Sequence, residues 1–236
     1  MKREEVCRRI KEVGIIPAVR VLSGHDAHFA AEAVMHGGIP IVEITMTVPG
    51  AVELISHLVR SNPRVIVGAG TVIDADTARQ CVDAGASFLT APSFDPTIVA
   101  FAVTQEIAIL PGAMTPTETV AAWKAGADFV KVFPCAEIGG DKFIKALNTS
   151  LPQIPLIAAG GINQQTAANY ILAGATAIGV GTELIPREAI ERRQADRIGE
   201  LARRFSKLVS DAREQLELWK QSIVVNQYTD ADKCER

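Results

Sequence analysis

Short apolar runs alternate along this chain with longer stretches in which apolar residues recur at helical spacing. Successive runs begin about 20 to 28 residues apart, which is the length of one strand and one helix. They contain few polar residues, as strands do when both faces of a sheet are covered. The eight runs are IIPAVRV, IPIVEITM, VIVGAGTV, SFLTAP, IAILPGA, DFVKVF, LIAAGGI and AIGVGTEL. This repetition predicts an α/β fold, a (β/α)8 TIM barrel with a closed parallel sheet inside and helices outside.

Helix boundary signals lie between the apolar runs. Residues that cap helix N-termini precede several amphipathic stretches, namely Ser23, Asp74, Thr115 and Asn163. Ala-Gly pairs that suit helix ends follow others, at 84–85, 125–126 and 173–174. An open Rossmann sheet is the alternative fold. Its signal is weak, because Gly68-Ala69-Gly70-Thr71 lacks the third glycine of the GxGxxG fingerprint.

The end of the chain departs from this repeat. Residues 187–220 are rich in charge and predict an extended C-terminal amphipathic helix, with an apolar face formed by Ile198, Leu201, Phe205, Leu208 and Val209. A chain of 236 residues that is 48% hydrophobic suffices for one undivided barrel. We therefore assign residues 1–220 to a single barrel domain and residues 221–236 to a C-terminal tail of unknown role.

Composition argues against several classes of partner. A net charge of −3 argues against nucleic acid or an anionic membrane surface. Residues 1–12 are too highly charged for a signal peptide, and no apolar run is long enough to span a bilayer. The four cysteines lie far apart without a CxxC pair and are expected to be free thiols. These features predict a cytoplasmic enzyme acting on a small molecule.

Polar residues at the predicted strand ends are the candidates for chemistry, because barrel enzymes place their sites at the C-terminal ends of the strands. The set is Arg20, Glu43, Thr45, Thr47, Thr71, Thr90, Lys131, Thr182 and Glu183. Side chains alternate along a strand, so Lys131 shares one face with Phe129 and Phe133. If both polar faces point inward, Lys131 and Glu43 enter one cavity from different strands.

Lys131 is the most informative residue, because it lies within a run that predicts a buried strand. Burying an ammonium group costs several kcal/mol unless the group is paired, and the usual outcome is a neutral, nucleophilic amine. A Schiff-base lysine needs that state. The alternative is a lysine at a strand end whose stem packs while its amine reaches water.

Two glycine-rich segments follow the seventh and eighth runs. Gly160-Gly161 ends one, and Gly179-Val180-Gly181-Thr182 ends the other. Loops at these two positions commonly bind phosphate in barrels through backbone N–H groups. The alternative is that these glycines only form tight turns. No metal site is predicted, because His25 and His28 are spaced as HxxH but have no third ligand nearby.

Together these segments resemble the pyruvate-forming class I aldolases that cleave 2-keto-3-deoxy-6-phosphogluconate (KDPG), 4-hydroxy-2-oxoglutarate (KHG) or 2-keto-3-deoxy-6-phosphogalactonate. The similarity covers about residues 15–210 and includes VEIT around Glu43, GAGTV from Gly68, Pro92, KVFP at Lys131 and the GGI of 160–162. The resemblance implies a Schiff base on Lys131, a general acid/base in Glu43 and a keto-acid contact from Thr71.

The resemblance also assigns the remaining substrate contacts. It implies that Gly160, Gly161, Gly181 and Thr182 bind phosphate, and we add Pro92 and Phe133 to the substrate-binding set. Enzymes of this family are typically homotrimers that use no metal or other cofactor, and the same is expected here.

The chain departs from the KDPG pattern at two positions. Thr47 stands where those enzymes carry a carboxylate-binding arginine, and Ala159 stands where they carry a threonine. The phosphogalactonate branch has an arginine at the end of the first strand instead, where this chain has Arg20. A guanidinium binds a carboxylate in bidentate fashion, so Arg20 can replace the absent arginine.

Two other functions remain open at this point. One is a phosphosugar isomerase or epimerase on the same barrel, with Glu43 as base and Lys131 stabilising an enolate electrostatically. The other is a non-catalytic protein that binds a phosphorylated metabolite. Both keep the predicted phosphate site, and neither requires a covalent bond to Lys131.

Overall fold

The computed structural model describes residues 1–231, which form a parallel barrel surrounded by helices. The nine strands are β1 (Ile15–Val19), β2 (Ile41–Thr45), β3 (Ile66–Gly70), β4 (Phe88–Thr90), β5 (Ala108–Leu110), β6 (Gly112–Ala113), β7 (Val130–Val132), β8 (Leu156–Ala159) and β9 (Ala177–Val180). Their order in the sheet is β5-β4-β3-β2-β1-β9-β8-β7-β6, and every pair is parallel. The predicted TIM barrel is confirmed.

The fifth apolar run accounts for the extra strand, because Pro111 divides it into β5 and β6. Proline has no N–H to donate to a sheet. Its carbonyl still accepts the N–H of Lys131 at 2.9 Å, and Gly112 N–H donates to the carbonyl of Ser93 at 3.2 Å. The sheet therefore continues past Pro111, with β5 paired to β4 and β6 paired to β7.

Helices connect the strands and cover the outside of the barrel. They are α1 (Arg3–Val13), α2 (Gly24–His36), α3 (Ala51–Ser61), α4 (Ala75–Asp83), α5 (Pro96–Thr104), α6 (Pro116–Lys124), α7 (Gly140–Ser150), α8 (Ala167–Leu172), α9 (Arg187–Glu191) and α10 (Ala195–Ala231), with a 3-10 turn at Ala136–Ile138. The side chains of Ser23, Asp74 and Thr115 cap α2, α4 and α6 as predicted. The Ala-Gly pairs end α4, α6 and α8.

The first helix was not predicted from the apolar pattern. Val6 and Ile10 of α1 are fully buried, and Arg3 pairs with Asp128 at 2.9 Å. Asp128 also accepts the N–H of Ile109 at 2.9 Å. This helix therefore packs on the barrel beside the starts of the fifth and sixth apolar runs, far along the chain from its own position.

The charged C-terminal stretch forms two helices, where one helix over 187–220 was expected. The chain leaves helical geometry at Arg193, whose φ is 52°. Arg193 is held there by an ion pair with Asp26 at 2.7 Å and by stacking over the Phe29 ring at 5.0 Å. Within α10, Ile198, Phe205 and Val209 are buried, which confirms the predicted apolar face. This helix also runs past position 220 to Ala231.

The core fills the barrel and the space between the sheet and the helices. Each of β2, β3, β4 and β7 is buried along its whole length. Among the described residues, no helix has the length and apolar character needed to cross a bilayer.

Candidate active site

Lys131 on β7 and Glu43 on β2 face each other inside the barrel. Their side chains are almost fully buried, with 9% of Lys131 and 4% of Glu43 exposed. The Lys131 Nζ lies 3.9 Å from Glu43 Oε1. The expectation that these two residues enter one cavity from different strands is therefore confirmed.

Gly70 on β3 provides the space for the Glu43 carboxylate. A Cβ atom built at Gly70 would overlap the Oε1 and Cδ atoms of Glu43. The neighbouring strands are in register with Glu43 opposite Gly68 and Thr45 opposite Gly70. A side chain at position 70 would displace Glu43 from Lys131, so this glycine serves the geometry of the site.

Thr90 on β4 is the hydrogen-bond partner of the lysine. Lys131 Nζ donates to Thr90 Oγ1 at 3.3 Å, and Thr90 is 1% exposed. The Phe133 ring centroid lies 5.3 Å from the same nitrogen. A hydroxyl can accept a hydrogen bond from an amine. Thr90 therefore fixes the position of the Lys131 amine in the cavity.

A cavity of about 250 Å³ opens from these residues to the mouth of the barrel. Most of the sequence-predicted site residues line it: Arg20, Glu43, Lys131, Phe133, Gly160, Gly161, Gly181 and Thr182. Pro92 and Thr71 are not among its lining residues. Pro92 is half-buried at the end of β4, where its carbonyl abuts Gly112.

Thr71 is placed in contact with the site through Arg20. Its backbone has a φ of 59°, a conformation that is uncommon for threonine. Its hydroxyl accepts from Arg20 Nη2 at 3.5 Å. Within the described residues, Arg20 has no carboxylate partner, so its guanidinium is available to an anionic ligand at the cavity mouth.

The glycine-rich loops contribute backbone N–H groups to one side of the cavity. Gly160 and Gly161 have φ values of 89° and 75°, which favour glycine. A Cβ at Gly160 would approach Pro134 Cα to 2.9 Å. In the described part of the chain, the N–H groups of Gly160, Gly161, Gly181 and Thr182 donate to no backbone carbonyl. Four donors therefore remain for an anion.

Cys135 lies behind this loop but is poorly suited to act as a nucleophile. It is fully buried, and burial raises the pKa of its thiol to about 12. Its Sγ lies 3.8 Å from the carbonyl of Gly140. A thiol that stays protonated is a weak nucleophile. Lys131 is therefore the stronger candidate for covalent chemistry in this cavity.

The histidines singled out in the sequence lie on the barrel exterior. The rings of His28 and His57 approach to 5.0 Å between centroids, and His28 Nδ1 lies 3.4 Å from Glu32. His25 contacts Arg193 at 2.9 Å. Across residues 1–231, no three or more potential ligands are grouped as a metal site.

Sequence reasoning missed two contributions to the site. Thr90 was recognised as a polar strand-end residue, but its contact with Lys131 was not foreseen. Gly70 was noted only as part of GAGTV. The available signal for Thr90 was a hydroxyl residue with apolar residues on both sides in the run SFLTAP. The signal for Gly70 was a glycine inside a strand, which often marks close approach by another group.

Comparisons with known proteins agree with this geometry. A family model described as KDPG and KHG aldolase matches residues 6–201. The 2-dehydro-3-deoxy-phosphogluconate aldolase of Treponema pallidum is 31% identical over 181 residues, covering 77% of this chain and 86% of the relative. The probable 2-dehydro-3-deoxy-6-phosphogalactonate aldolase of Rhizobium meliloti is 30% identical over 172 residues, covering 72% of this chain and 81% of the relative.

A solved structure supports the same relationship. The crystal structure of KDPG aldolase from Legionella pneumophila holds pyruvate captured as a covalent carbinolamine intermediate. It matches with a TM-score of 0.78 and 30% identity, covering 84% of this chain and 96% of that one. The matched barrel and the extent of these similarities show that the chain belongs to the KDPG and KHG aldolase family of carbon-carbon lyases.

Proposed function

We propose that this chain cleaves a 6-phosphorylated 2-keto-3-deoxy sugar acid to pyruvate and a phosphorylated aldehyde through a Schiff base on Lys131. The observation that carries the proposal is the buried pair of Lys131 Nζ and Glu43 Oε1, 3.9 Å apart in a cavity that opens to the barrel mouth. Imine chemistry needs a nucleophilic amine and a nearby proton carrier, and this pair supplies both.

The reaction begins with attack of the neutral Lys131 amine on the C2 ketone. Glu43 moves protons as the carbinolamine forms and loses water to give an iminium. Glu43 then takes the proton of the C4 hydroxyl as the C3–C4 bond breaks, and the bonding electrons pass to the iminium to form an enamine. The aldehyde leaves, C3 is protonated, and water hydrolyses the iminium to release pyruvate and the lysine.

The glycine loops and Thr182 are proposed to bind the phosphate of the substrate. Their free N–H groups line the same cavity as Lys131, on the side formed by the ends of β8 and β9. Backbone N–H groups and hydroxyls are the usual phosphate donors at this position of a barrel. The mechanism needs no metal or cofactor, and we expect turnover to survive EDTA.

Arg20 is proposed to bind the carboxylate at the pyruvate end of the substrate. It has no acidic partner among the residues that the structure describes, it lines the cavity, and it contacts Thr71. A lost hydrogen bond to a charged group costs about 1.5 to 3 kcal/mol. Arg20→Ala should therefore weaken the binding of pyruvate and of all 2-keto acids by about 10- to 150-fold. An effect on phosphorylated substrates alone would place Arg20 at the phosphate, and unchanged kinetics would leave it as a solvated residue.

Among the possible substrates, we favour 2-keto-3-deoxy-6-phosphogalactonate. Arg20 at the end of β1 together with Thr47 matches that branch, and the Rhizobium meliloti relative carries the corresponding name. The test is pyruvate release from the galactonate, the gluconate and 4-hydroxy-2-oxoglutarate, with Lys131→Arg as the inactive control. The highest kcat/KM should belong to the galactonate. Higher kcat/KM for either of the other acids would reassign the substrate.

The isomerase and binding-protein alternatives make different predictions for the same assays. An isomerase would release no pyruvate and form no adduct with it, and a binding protein would show no turnover.

We further propose a cytoplasmic homotrimer in which residues 1–220 suffice for catalysis. Native mass spectrometry of the full chain tests the trimer, and a monomer as the active species would contradict it.

A further inference from the structure

A second cavity adjoins the proposed active site. It has a volume of about 330 Å³ and is lined by residues that follow β1, β2 and β9. Arg20 and Thr182 line both this cavity and the one that holds Lys131. The two cavities therefore share these residues as walls, on the side of the barrel mouth where the loop after β9 lies.

The wall of the second cavity is largely apolar. Ile185 and Ile190 line it and are 4% and 5% exposed, and Val21 is a further apolar lining residue. Leu22 also lines the cavity but is 82% exposed. A single exposed leucine is ordinary on a protein surface. Here it stands with buried apolar residues in a concave space that shares two lining residues with the cavity of Lys131, and such a composition is typical of a ligand pocket.

Most polar side chains of this cavity are already paired. Asp26 binds Arg193 at 2.7 Å, and Arg187 binds Glu191 at 2.7 Å. The Thr47 hydroxyl is 2.8 Å from that of Thr45. These four side chains already have polar partners, so they offer less to an incoming polar ligand than unpaired groups would. An apolar group would leave them intact.

We propose that the second cavity is a subsite for an apolar substituent on the aldehyde half of the substrate. The inference rests on the proposed aldolase chemistry and extends it to unphosphorylated aldehydes that carry an apolar chain or ring. The occupant follows from the shared walls, because Arg20 and Thr182 border both this cavity and the one that holds Lys131.

The reaction expected for such aldehydes is aldol addition. C3 of the pyruvate enamine on Lys131 forms a bond to the aldehyde carbon, and the aldehyde oxygen takes a proton from Glu43. Water then hydrolyses the iminium, which releases a 4-hydroxy-2-keto acid and the free lysine. The water consumed balances the water lost when the imine formed, and no oxidant or reductant is needed.

The test compares two aldehydes with pyruvate as donor. The probes are 3-phenylpropanal, which carries an apolar ring, and glyceraldehyde 3-phosphate, which carries the phosphate. In Leu22→Ser, kcat/KM for 3-phenylpropanal should fall about tenfold, the scale of a lost contact in an apolar specificity pocket. The value for glyceraldehyde 3-phosphate should stay as in the parent. Ile73→Ser is the matched control, because Ile73 is 65% exposed in the loop after β3 and lies outside both cavities.

Three results would overturn the subsite. The first is an equal loss of kcat/KM for both aldehydes in Leu22→Ser, and the second is no loss for either aldehyde. The third is a parent enzyme that does not accept 3-phenylpropanal. A change in oligomeric mass in Leu22→Ser would also overturn it, because a second copy of the chain would then cover the cavity. Borohydride trapping of pyruvate on each variant separates these outcomes from failure of the aldolase proposal, since the adduct on Lys131 persists if only the subsite is wrong.

Discussion

Glu43 lies at a distance from Lys131 that suits a proton carrier. The 3.9 Å between Oε1 and Nζ exceeds hydrogen-bonding range and leaves the carboxylate free to reach a substrate atom or a bridging water. Glu43→Gln keeps the shape but removes the proton acceptor. We expect kcat to fall by about 10² to 10⁴, while pyruvate is still trapped on Lys131 at a reduced rate. Steady-state kinetics of the purified variant provide the measurement, and turnover near that of the parent would assign Glu43 a structural role.

Thr90 is expected to position the amine of Lys131. Thr90→Val preserves the shape and removes the hydroxyl, so kcat should fall about tenfold or more through loss of a hydrogen bond to the reacting group. Thr90→Ser should restore most of the rate. The rate of borohydride trapping should follow kcat across the three proteins, whereas the midpoint of thermal unfolding should change little.

A second buried threonine provides the matched control for Thr90. Thr119 is fully buried, donates to the carbonyl of Thr115 at 2.8 Å, and does not line the cavity. Thr119→Val should lower stability and leave kcat intact. If Thr90→Val behaves in the same way, Thr90 has only a structural role.

Strand alternation predicted that Lys131 and Glu43 enter one cavity if both polar faces point inward, but it did not give the distance between them. The period of two placed Lys131 and Glu43 on inward faces. Closure of the sheet then brought these two faces into one cavity. The contact between Lys131 and Thr90 could not be deduced in this way. β4 and β7 are not neighbours in the sheet, so the distance between their side chains depends on how the barrel closes.

At the scale of elements, local signals were reliable and long-range contacts were not. Ser, Asp and Thr capping residues and the Ala-Gly pairs marked helix ends correctly, because both act within a few residues. The prediction for Asn163 was wrong, since the N-cap position of α8 is Thr166. The break between α9 and α10 depends instead on contacts of Arg193 with Asp26 and Phe29, which are distant in sequence. α1 was not predicted for a similar reason, since its two buried residues pack against parts of the barrel that are distant in sequence.

Packing of α2 against α10 gives a prediction at the same scale. A Cβ at Gly37 would lie 2.6 Å from Ala202 Cβ and 2.8 Å from the carbonyl oxygen of Gly199. Both helices would have to separate, and overpacking of this kind costs about 1 to 3 kcal/mol. Gly37→Ala should therefore lower the free energy of unfolding by that amount in urea denaturation.

Gly199→Ala is the matched substitution on the facing helix. Its Cβ would meet its nearest atoms at 3.5 to 3.6 Å, which is ordinary contact. Replacing glycine by alanine within a helix stabilises it by about 1 kcal/mol. The two alanine variants should thus change stability in opposite directions, and equal effects would show that the helices do not pack as described.

For the whole molecule, the repeat of apolar runs predicted the barrel because eight similar units have few other ways to bury their strands. The C-terminal boundary was harder to place. Ala212 is the last buried residue of α10 among the side chains that the structure describes, whereas Leu218 and Trp219 are 61% and 63% exposed. The helix therefore continues beyond the part that packs on the barrel.

Removal of residues 221–236 tests the proposed domain boundary. We expect the shortened chain to keep its kcat, its midpoint of thermal unfolding and its oligomeric mass, because the described contacts of α10 with the barrel precede this segment. Kinetics, calorimetry and native mass spectrometry give the three readings. A smaller oligomer would assign the tail to assembly, and lost activity would assign it to the site.

Covalent trapping of pyruvate tests the central claim most directly. The full chain is incubated with pyruvate and sodium borohydride, digested, and analysed by peptide mass spectrometry. The account predicts one reduced pyruvate on the peptide containing Lys131, an unchanged adduct in Lys124→Arg and Lys145→Arg, and none in Lys131→Arg, because a guanidinium stays protonated and forms no imine. No adduct on the parent protein, or an adduct on Lys124 or Lys145, would contradict the account.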